Sequence, residues 1–329
     1  MQSFIDPAIL FFVFGVFAGL VRSNLEIPPA ISRFLSLYLL MALGLKGGFA
    51  LAESGLNAQV LISLGAALAM ASAIPLLSYV FLKTIVGRFD AAAIAATYGS
   101  VSAVTFITAV QYLDTHQLPY GGHMAAAMAL MESPAILLAV FVANKARAEM
   151  RSANTGSSLQ ATPQVSGMGH VWHEALTDGA QLLLLGAMLI GFFSGEQGQE
   201  VMKPFSVDLF KGMLAFFLLD MGLLAARNMG KLKGQPVTLF LYALLAPAVH
   251  ASLAMVVGGW LNMNPGDLAL LMVLSASASY IAVPAVLRHA IPEANPSLYF
   301  GMSLGMTFPL NILVGIPLYV QAAFWWMGA

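Results

Sequence analysis

The chain has 329 residues, of which 59% are hydrophobic and only 9% are charged, and its formal net charge is −1. Soluble domains contain about 25% charged residues, so this composition excludes an ordinary soluble protein and indicates a polytopic membrane protein. The absence of cysteine excludes disulfides and thiolate chemistry, and no basic block suggests a nucleic-acid partner.

Apolar segments long enough to cross a lipid bilayer recur along the whole chain. At about 20 residues per crossing, the sequence predicts ten membrane helices, roughly 7–22, 29–51, 58–84, 90–113, 121–146, 175–195, 206–226, 236–261, 266–289 and 295–326. The first segment lacks a basic flank and follows Asp6, so we interpret it as a retained helix and not as a cleaved signal peptide. The expected fold is therefore all-α.

One long polar stretch, residues 147–174, separates five predicted helices in residues 1–146 from five in residues 175–329. It has no apolar periodicity and is rich in Ser, Gly and Thr, which is typical of a flexible linker.

The two halves carry matching residues at a nearly constant offset. Ser100 matches Ser277 and Ser102 matches Ser279, in each case 177 residues further along the chain. Because five spans per half is an odd number, the second half would enter the membrane from the opposite side. The sequence therefore predicts two inverted repeats, as in many secondary transporters.

Positive charge is distributed unequally between the two predicted sides. Only three of the 14 Lys and Arg residues, Lys46, Lys203 and Lys211, fall on one side, and the loops after the odd-numbered spans carry the other 11. The positive-inside rule then predicts both termini on the outer side of the inner (plasma) membrane and the linker in the cytoplasm.

Two serine-rich stretches, Thr97–Ser102 and Ser275–Ser279, each lie midway along a predicted span. Their hydroxyl residues recur at every second position, which an intact helix would point in nearly opposite directions. An interrupted helix would instead bring hydroxyl, N–H and C=O groups together, and such backbone is tolerated only where protein buries it or where it lines a cavity. The alternative is that small residues merely allow close helix packing; the pairing across the two halves favours a binding site.

A small anion would suit these interruptions. The second part of a broken helix begins with free N–H groups and a partial positive charge. None of the 14 Lys and Arg residues adjoins either serine stretch, so backbone and hydroxyl groups would have to bind the ion.

Two carboxylates fall inside predicted spans. Glu132, followed by Pro134, is expected to cost about 2.5–3.5 kcal/mol at a helix centre, which makes it a functional candidate. With hydroxyl and carbonyl oxygens it would suit Na⁺, although a protonated, hydrogen-bonded role is the alternative. Asp220 could pair with a neighbouring helix or with Lys46, or it could take part in transport.

Enzyme signatures are missing from the sequence, which has neither a second histidine at HExxH spacing nor a P-loop. Transport would then be driven by an ion gradient.

Four runs resemble the sodium-dependent bicarbonate transporter family best known from cyanobacteria: Gly47-Gly48, Gly99–Ser102, Phe217–Leu223 and, above all, Ser275–Ala285. The resemblance extends from the second span to the tenth. It implies ten membrane helices in two inverted sets of five, a gate domain beside a mobile core domain, and a homotrimer. It also implies bicarbonate uptake coupled to Na⁺, without a cofactor.

The resemblance also implies site residues. Bicarbonate would be bound by Gly99, Ser100, Val101, Ser102, Ser277, Ala278 and Ser279, and Na⁺ by Tyr98, Ser102, Thr105, Glu132 and Ser275. Family members often have Asp where this chain has Glu132, which leaves the identity of the coupling ion open. Cyanobacterial members are closed by a small cytoplasmic protein of the PII type, so a similar partner is implied here.

Three functions stay open at this stage. The first is Na⁺-coupled bicarbonate symport by an elevator-like or rocking movement of one helix bundle against the other. The second is transport of another small anion, or exchange of Na⁺ for H⁺ through Glu132. The third is a membrane sensor that binds an anion and signals through the linker.

Overall fold

A computed structural model describes residues 6–55, 57–154, 179–229 and 234–328, and within these ranges all regular structure is helical. The helices are α1 Pro7–Leu20, α2 Pro29–Ser54, α3 Ala58–Leu82, α4 Arg88–Gly99, α5 Ala103–Thr115, α6 Met124–Asn154, α7 Gly179–Lys203, α8 Phe210–Met229, α9 Val237–Trp260, α10 Pro265–Ala276, α11 Ala282–Ala290 and α12 Pro296–Met327.

Seven stretches of the described residues are long and apolar enough to cross a membrane. One of them, Gly179–Met229, contains both α7 and α8, which a π-helical turn at Pro204–Asp208 separates. Another, Arg88–Thr115, contains α4 and α5, and the apolar helices α1 and α10 are shorter. The prediction of an all-α, multi-pass membrane protein is confirmed.

The predicted linker at 147–174 falls mainly outside the described residues. Its first part is helical, because α6 extends to Asn154. This helix also continues through Pro134, so the proline does not interrupt it.

Loop contacts define two ends of the molecule. At the first, here called the basic end, the loops after α1 and α11 and the first residue of α4 meet the ends of α6 and α8. Arg227 donates a hydrogen bond to the Leu25 carbonyl oxygen at 3.1 Å, and Arg147 donates two to the Glu293 carboxylate, at 2.7 and 2.6 Å. These bonds hold the pKa of Glu293 below its usual range.

The opposite end, here called the terminal end, contains the loops after α2, α5 and α9. Lys46 on α2 pairs with Asp114 on α5 at 2.7 Å, and the Gly121 amide donates to the Asp267 carboxylate at 2.6 Å. Helix α1 begins here, and Trp326 near the end of α12 packs against the end of α9. The first and last described helices therefore have their outer ends on the same side of the molecule.

Asp220 does not pair with Lys46. Its carboxylate is buried on α8 and accepts a hydrogen bond from the Ser32 hydroxyl of α2. Of the two structural roles predicted for Asp220, pairing with a neighbouring helix is therefore the one found in the structure.

Close helix crossings depend on glycine. Helix α1 packs along α8, and α2 packs along α7. A Cβ atom on Gly15 or Gly222 would overlap a backbone carbonyl oxygen of the partner helix, and the same holds for Gly48 and Gly191 at the second crossing. Small residues are what allow backbones to approach this closely in membrane proteins.

The helices that carry the serine stretches lie inside the bundle. In the most apolar window of Arg88–Thr115, 94% of the residues are buried, although the sequence is apolar enough to face lipid. Nearly all of α10 is buried as well. The polar groups of both segments are therefore surrounded by protein.

The glycine crossings give a stability test. We expect Gly222→Ala to destabilise the protein by about 1–3 kcal/mol, the usual effect of forcing extra volume into a packed contact. Gly212→Ala on the same helix is the matched control, since a Cβ there meets nothing within 4 Å. Thermal unfolding of the purified protein in detergent should show a lower melting temperature for the first variant alone; equal melting temperatures would contradict the packing described.

Candidate functional site

The first serine stretch interrupts a helix at the predicted place. Helix α4 ends at Gly99, and Ser100 has extended backbone angles, φ −95° and ψ 177°. Helix α5 begins at Ala103, with Ser102 as its N-cap.

The second stretch is interrupted in the same way. Helix α10 ends at Ala276, Ser277 is extended with φ −79° and ψ 166°, and α11 begins at Ala282. The prediction that both helices are broken is confirmed by these backbone conformations.

The two interruptions meet and hydrogen-bond to each other. The Ser102 amide donates to the Ser277 hydroxyl at 2.9 Å, and the Ser279 amide donates to the Thr97 carbonyl oxygen at 2.8 Å. We call residues 97–105 and 275–283 the crossover. Each of the two segments of the crossover therefore provides hydrogen-bond partners for backbone groups of the other segment that have no partner within a helix.

Serine hydroxyls complete the helix ends on both sides. Ser102 Oγ accepts from the Thr105 amide at 3.2 Å and from the Thr105 hydroxyl at 3.0 Å. Ser279 Oγ accepts from the Val283 amide at 3.3 Å, and Ser277 Oγ donates to the Leu274 carbonyl oxygen at 2.8 Å. Such caps satisfy only some of the N–H groups of a first helical turn, so α5 and α11 both direct positive helix ends at the crossover.

Gly99 is needed because α3 passes close to the first break. A Cβ atom on Gly99 would overlap the ring of Pro75, which lies inside α3. Only a residue without a side chain allows α4 to end so near to this helix.

The structure brings α6 to the crossover through Glu132. The Ser100 hydroxyl donates to the backbone carbonyl oxygen of Glu132 at 3.1 Å, and Glu132 is half-buried. The intramembrane carboxylate singled out in the sequence thus belongs to a residue that contacts the first serine stretch.

The remaining predicted residues are buried but differ in their partners. The Tyr98 hydroxyl bonds to the Thr307 hydroxyl at 2.6 Å, and Thr307 in turn donates to the Ala243 carbonyl oxygen at 2.9 Å. Tyr98 therefore reaches α9 and α12. The Ser275 hydroxyl is buried and has no hydrogen-bond partner among the described residues.

Helix α12 contributes residues that the predicted site did not include. Asn311 Nδ2 donates to the Ala276 carbonyl oxygen at 2.8 Å, where α10 ends, and Asn311 Oδ1 accepts from the Tyr319 hydroxyl at 3.3 Å. Both Thr307 and Asn311 lie in π-helical turns of α12. The sequence does carry a signal for Thr307, which lies 175 residues after Glu132 and is therefore its counterpart in the second half, with Asn311 further along.

The serines of the crossover are all buried in this structure. Ser100 and Ser277 are each 1% exposed. Among the described residues, every ion pair found lies towards one of the two ends of the molecule, and none includes a crossover residue. Its electrostatics are therefore set by helix ends, hydroxyl groups and the nearby Glu132.

Comparison with protein families agrees with this arrangement. The model of the Na⁺-dependent bicarbonate transporter superfamily matches residues 7–324, a range that contains the whole crossover. The chain belongs to this superfamily. A search of curated proteins finds no match. Membership confirms the resemblance read from the serine and glycine runs, and it identifies a membrane transporter.

Asn311 offers a test of how α12 supports the crossover. Asn311→Leu would leave the Ala276 carbonyl oxygen buried without this partner, and we expect a loss of about 1–3 kcal/mol of stability. Asn228→Leu is the matched control, because the Asn228 amide group bonds to the Leu224 carbonyl oxygen of its own helix. Thermal unfolding of both purified variants measures the difference; a larger loss at Asn228 would show that α12 does not hold the break.

Proposed function

We propose that the protein is a secondary active transporter that takes up bicarbonate together with Na⁺. The observation that carries this proposal is the crossover, where two interrupted helices bond to each other inside the bundle. The crossover offers hydrogen-bond donors for an anion in the interior of the helix bundle. Interrupted helices at such a position typically form the substrate site of a transporter.

Bicarbonate would bind at Gly99, Ser100, Val101, Ser102, Ser277, Ala278 and Ser279. The anion carries one charge and is small, so a few N–H and O–H donors and the two helix ends can compensate it without an arginine. The hydrogen bonds that join Ser102 to Ser277 and Ser279 to Thr97 support this assignment, since they hold donors of both halves in one place.

Na⁺ would bind beside the anion, at Tyr98, Ser102, Thr105, Glu132 and Ser275. Hard cations prefer oxygen ligands. The Ser102 and Thr105 hydroxyls are 3.0 Å apart, and the buried Ser275 hydroxyl has no other partner in the described chain, which supports their assignment. Tyr98 would have to share its hydroxyl with Thr307.

We further propose ten crossings arranged as two inverted repeats, in residues 1–146 and 175–329, in the inner (plasma) membrane. The glycine crossings support this, because the pairing of α1 with α8 is repeated by that of α7 with α2. The terminal end, with both termini, would face outwards, and the basic end and the linker would face the cytoplasm.

For the movement, α1, α2, α7 and α8 would form a gate and the remaining helices a mobile core. The gate helices pack on one another through glycine, and the crossover belongs entirely to the core. An elevator-like or rocking displacement of the core would then carry the ions across. The homotrimer and the PII-type partner remain predictions.

The proposed anion site is tested by Ser100→Ala and Ser277→Ala. Each change removes a hydroxyl from the crossover, and a hydrogen bond to a charged group is worth about 1.5–3 kcal/mol. We therefore expect uptake of labelled bicarbonate to fall at least about tenfold.

Ser252→Ala is the matched control for these variants. Ser252 is exposed on α9 and its hydroxyl bonds to the Ala248 carbonyl oxygen of its own helix. Monodisperse elution in detergent verifies folding. If both crossover variants transport at the parental rate, the anion site lies elsewhere, and an anion panel would then test the alternative substrates.

The proposed Na⁺ site is tested by Glu132→Gln. Loss of the carboxylate should raise the Na⁺ concentration for half-maximal uptake about tenfold, which corresponds to about 1.4 kcal/mol. Glu149→Gln on the same helix is the control, since Glu149 pairs with Arg88 at the basic end. An unchanged Na⁺ dependence would remove Glu132 from the cation site, whereas a changed H⁺ dependence without a Na⁺ effect would favour exchange.

A further inference from the structure

A large cavity lies at the terminal end, between α1 and α8 on one side and α5 and α12 on the other. Its volume is about 770 Å³. At roughly 30 Å³ per water molecule, it can hold about 25 waters. This volume is large enough for a small anion with its first hydration shell, although most of the wall is apolar, with side chains such as Phe11 and Ile316.

The α5 wall of this cavity carries a polar stripe. Thr108, Gln111 and Thr115 all line the cavity, at the spacing that places side chains on one helix face. Exposure decreases along the stripe from the surface inwards: Thr115 is exposed, whereas Gln111 and Thr108 are 5% and 4% exposed. The Gln111 amide group donates to the Thr115 hydroxyl at 2.8 Å.

Two walls of the cavity lead to the crossover. On α5, Thr105 lies one turn below Thr108, and its hydroxyl bonds to Ser102. On α12, Ile312 lines the cavity, and the preceding residue, Asn311, bonds to the carbonyl oxygen at the end of α10. The floor of the cavity is thus about one residue layer away from the two serine stretches.

The mouth of the cavity carries a lysine. Lys211 lines it and is exposed, and no ion pair with Lys211 is found in the part of the chain that the structure describes. Asp6 also lies there, and the positive N-terminus of α1 compensates part of its negative charge, since the carboxylate accepts from the Ala8 amide at 2.8 Å. An unpaired cation at a funnel mouth raises the local concentration of anions.

A second cavity at the same end differs in these respects. It has a volume of about 210 Å³ and faces the opposite side of α5, where Phe106 and Val110 form the wall. Its lysine, Lys46, is paired with Asp114. Its polar lining includes Glu53, whose negative charge repels an anion, and no unpaired lysine lines it among the described residues.

We propose that the larger cavity is the vestibule through which bicarbonate reaches the crossover from the outer side. Thr108, Gln111 and Thr115 form its polar wall, and Lys211 draws the anion to its mouth. This inference rests on the proposed bicarbonate uptake and adds to it the route and the residues that line it.

The chain contains no cysteine, so the reaction of a single introduced cysteine can be measured without labelling of any other thiol in the protein. In intact cells, Thr115→Cys and Gln111→Cys should react with a membrane-impermeant, anionic methanethiosulfonate added outside, and the reaction should reduce bicarbonate uptake at least fivefold. Labelling is read separately on denatured protein, so it remains informative if a variant transports poorly. Saturating bicarbonate with Na⁺ should slow the labelling of Gln111→Cys severalfold.

Three further cysteines serve as controls. Gln59→Cys, at the terminal end but outside the cavity, should be labelled without loss of uptake, and Glu149→Cys, at the basic end, should not be labelled from outside. Val110→Cys, in the smaller cavity, should leave uptake unchanged by the reagent.

Four results would overturn the vestibule. The first is that Thr115→Cys is labelled without an effect on uptake, and the second is that the reagent blocks uptake through Val110→Cys instead. The third is that Glu149→Cys is labelled from outside, and the fourth is that Gln111→Cys reacts only with apolar, membrane-permeant maleimides. The last result would mean that lipid fills the cavity. Absence of bicarbonate uptake in the parent chain would instead refute the proposed function.

The lysine at the mouth has its own test. Lys211→Gln should raise the bicarbonate concentration for half-maximal uptake about threefold at low ionic strength, without changing the maximal rate, and the effect should shrink as salt is added. Lys203→Gln, at the same end but outside the cavity lining, is the matched control. Equal effects of the two variants, or no effect of either, would remove Lys211 from the route.

Discussion

Non-helical backbone inside a membrane bundle must find its hydrogen bonds within the protein, and this requirement governs the structure. Each of the two interrupted helices solves it with the other. Ser102 and Ser279 donate their amides across the crossover to Ser277 and Thr97, so neither break satisfies its backbone alone. The arrangement that pairs these groups also brings the positive ends of α5 and α11 together.

Close approach of the surrounding helices makes the pairing possible. The Pro75 ring occupies the space beside Gly99, and glycines at the α1–α8 and α2–α7 crossings let backbones meet. Small residues thus have two roles in this chain: they pack helices, as the alternative explanation of the serine stretches held, and they also leave room for a broken one. The two explanations are compatible, because a break can be buried only where its neighbours come close.

The two broken helices have similar backbone conformations but different surroundings. Glu132 brings a carboxylate to the first stretch from α6, whereas α12 brings Thr307 and Asn311 through two π-helical turns. An anion and a cation bound side by side need different surroundings, and this asymmetry would provide them. The name of the superfamily to which the chain belongs contains the same two ions, Na⁺ and bicarbonate.

The sequence by itself determined the class of protein and the places where two helices break, because composition and the period-two spacing of serines are local properties. The superfamily was indicated separately, by the resemblance of four sequence runs. It also singled out Glu132, since a carboxylate in an apolar run is conspicuous without any structure. Only the tertiary structure decided that Lys46 pairs with Asp114 and Asp220 with Ser32, that Tyr98 reaches Thr307, and that Asn311 supports the end of α10. These partners lie from 35 to more than 200 residues apart along the chain, and periodicity within one helix carries no information about which face of another helix it will meet.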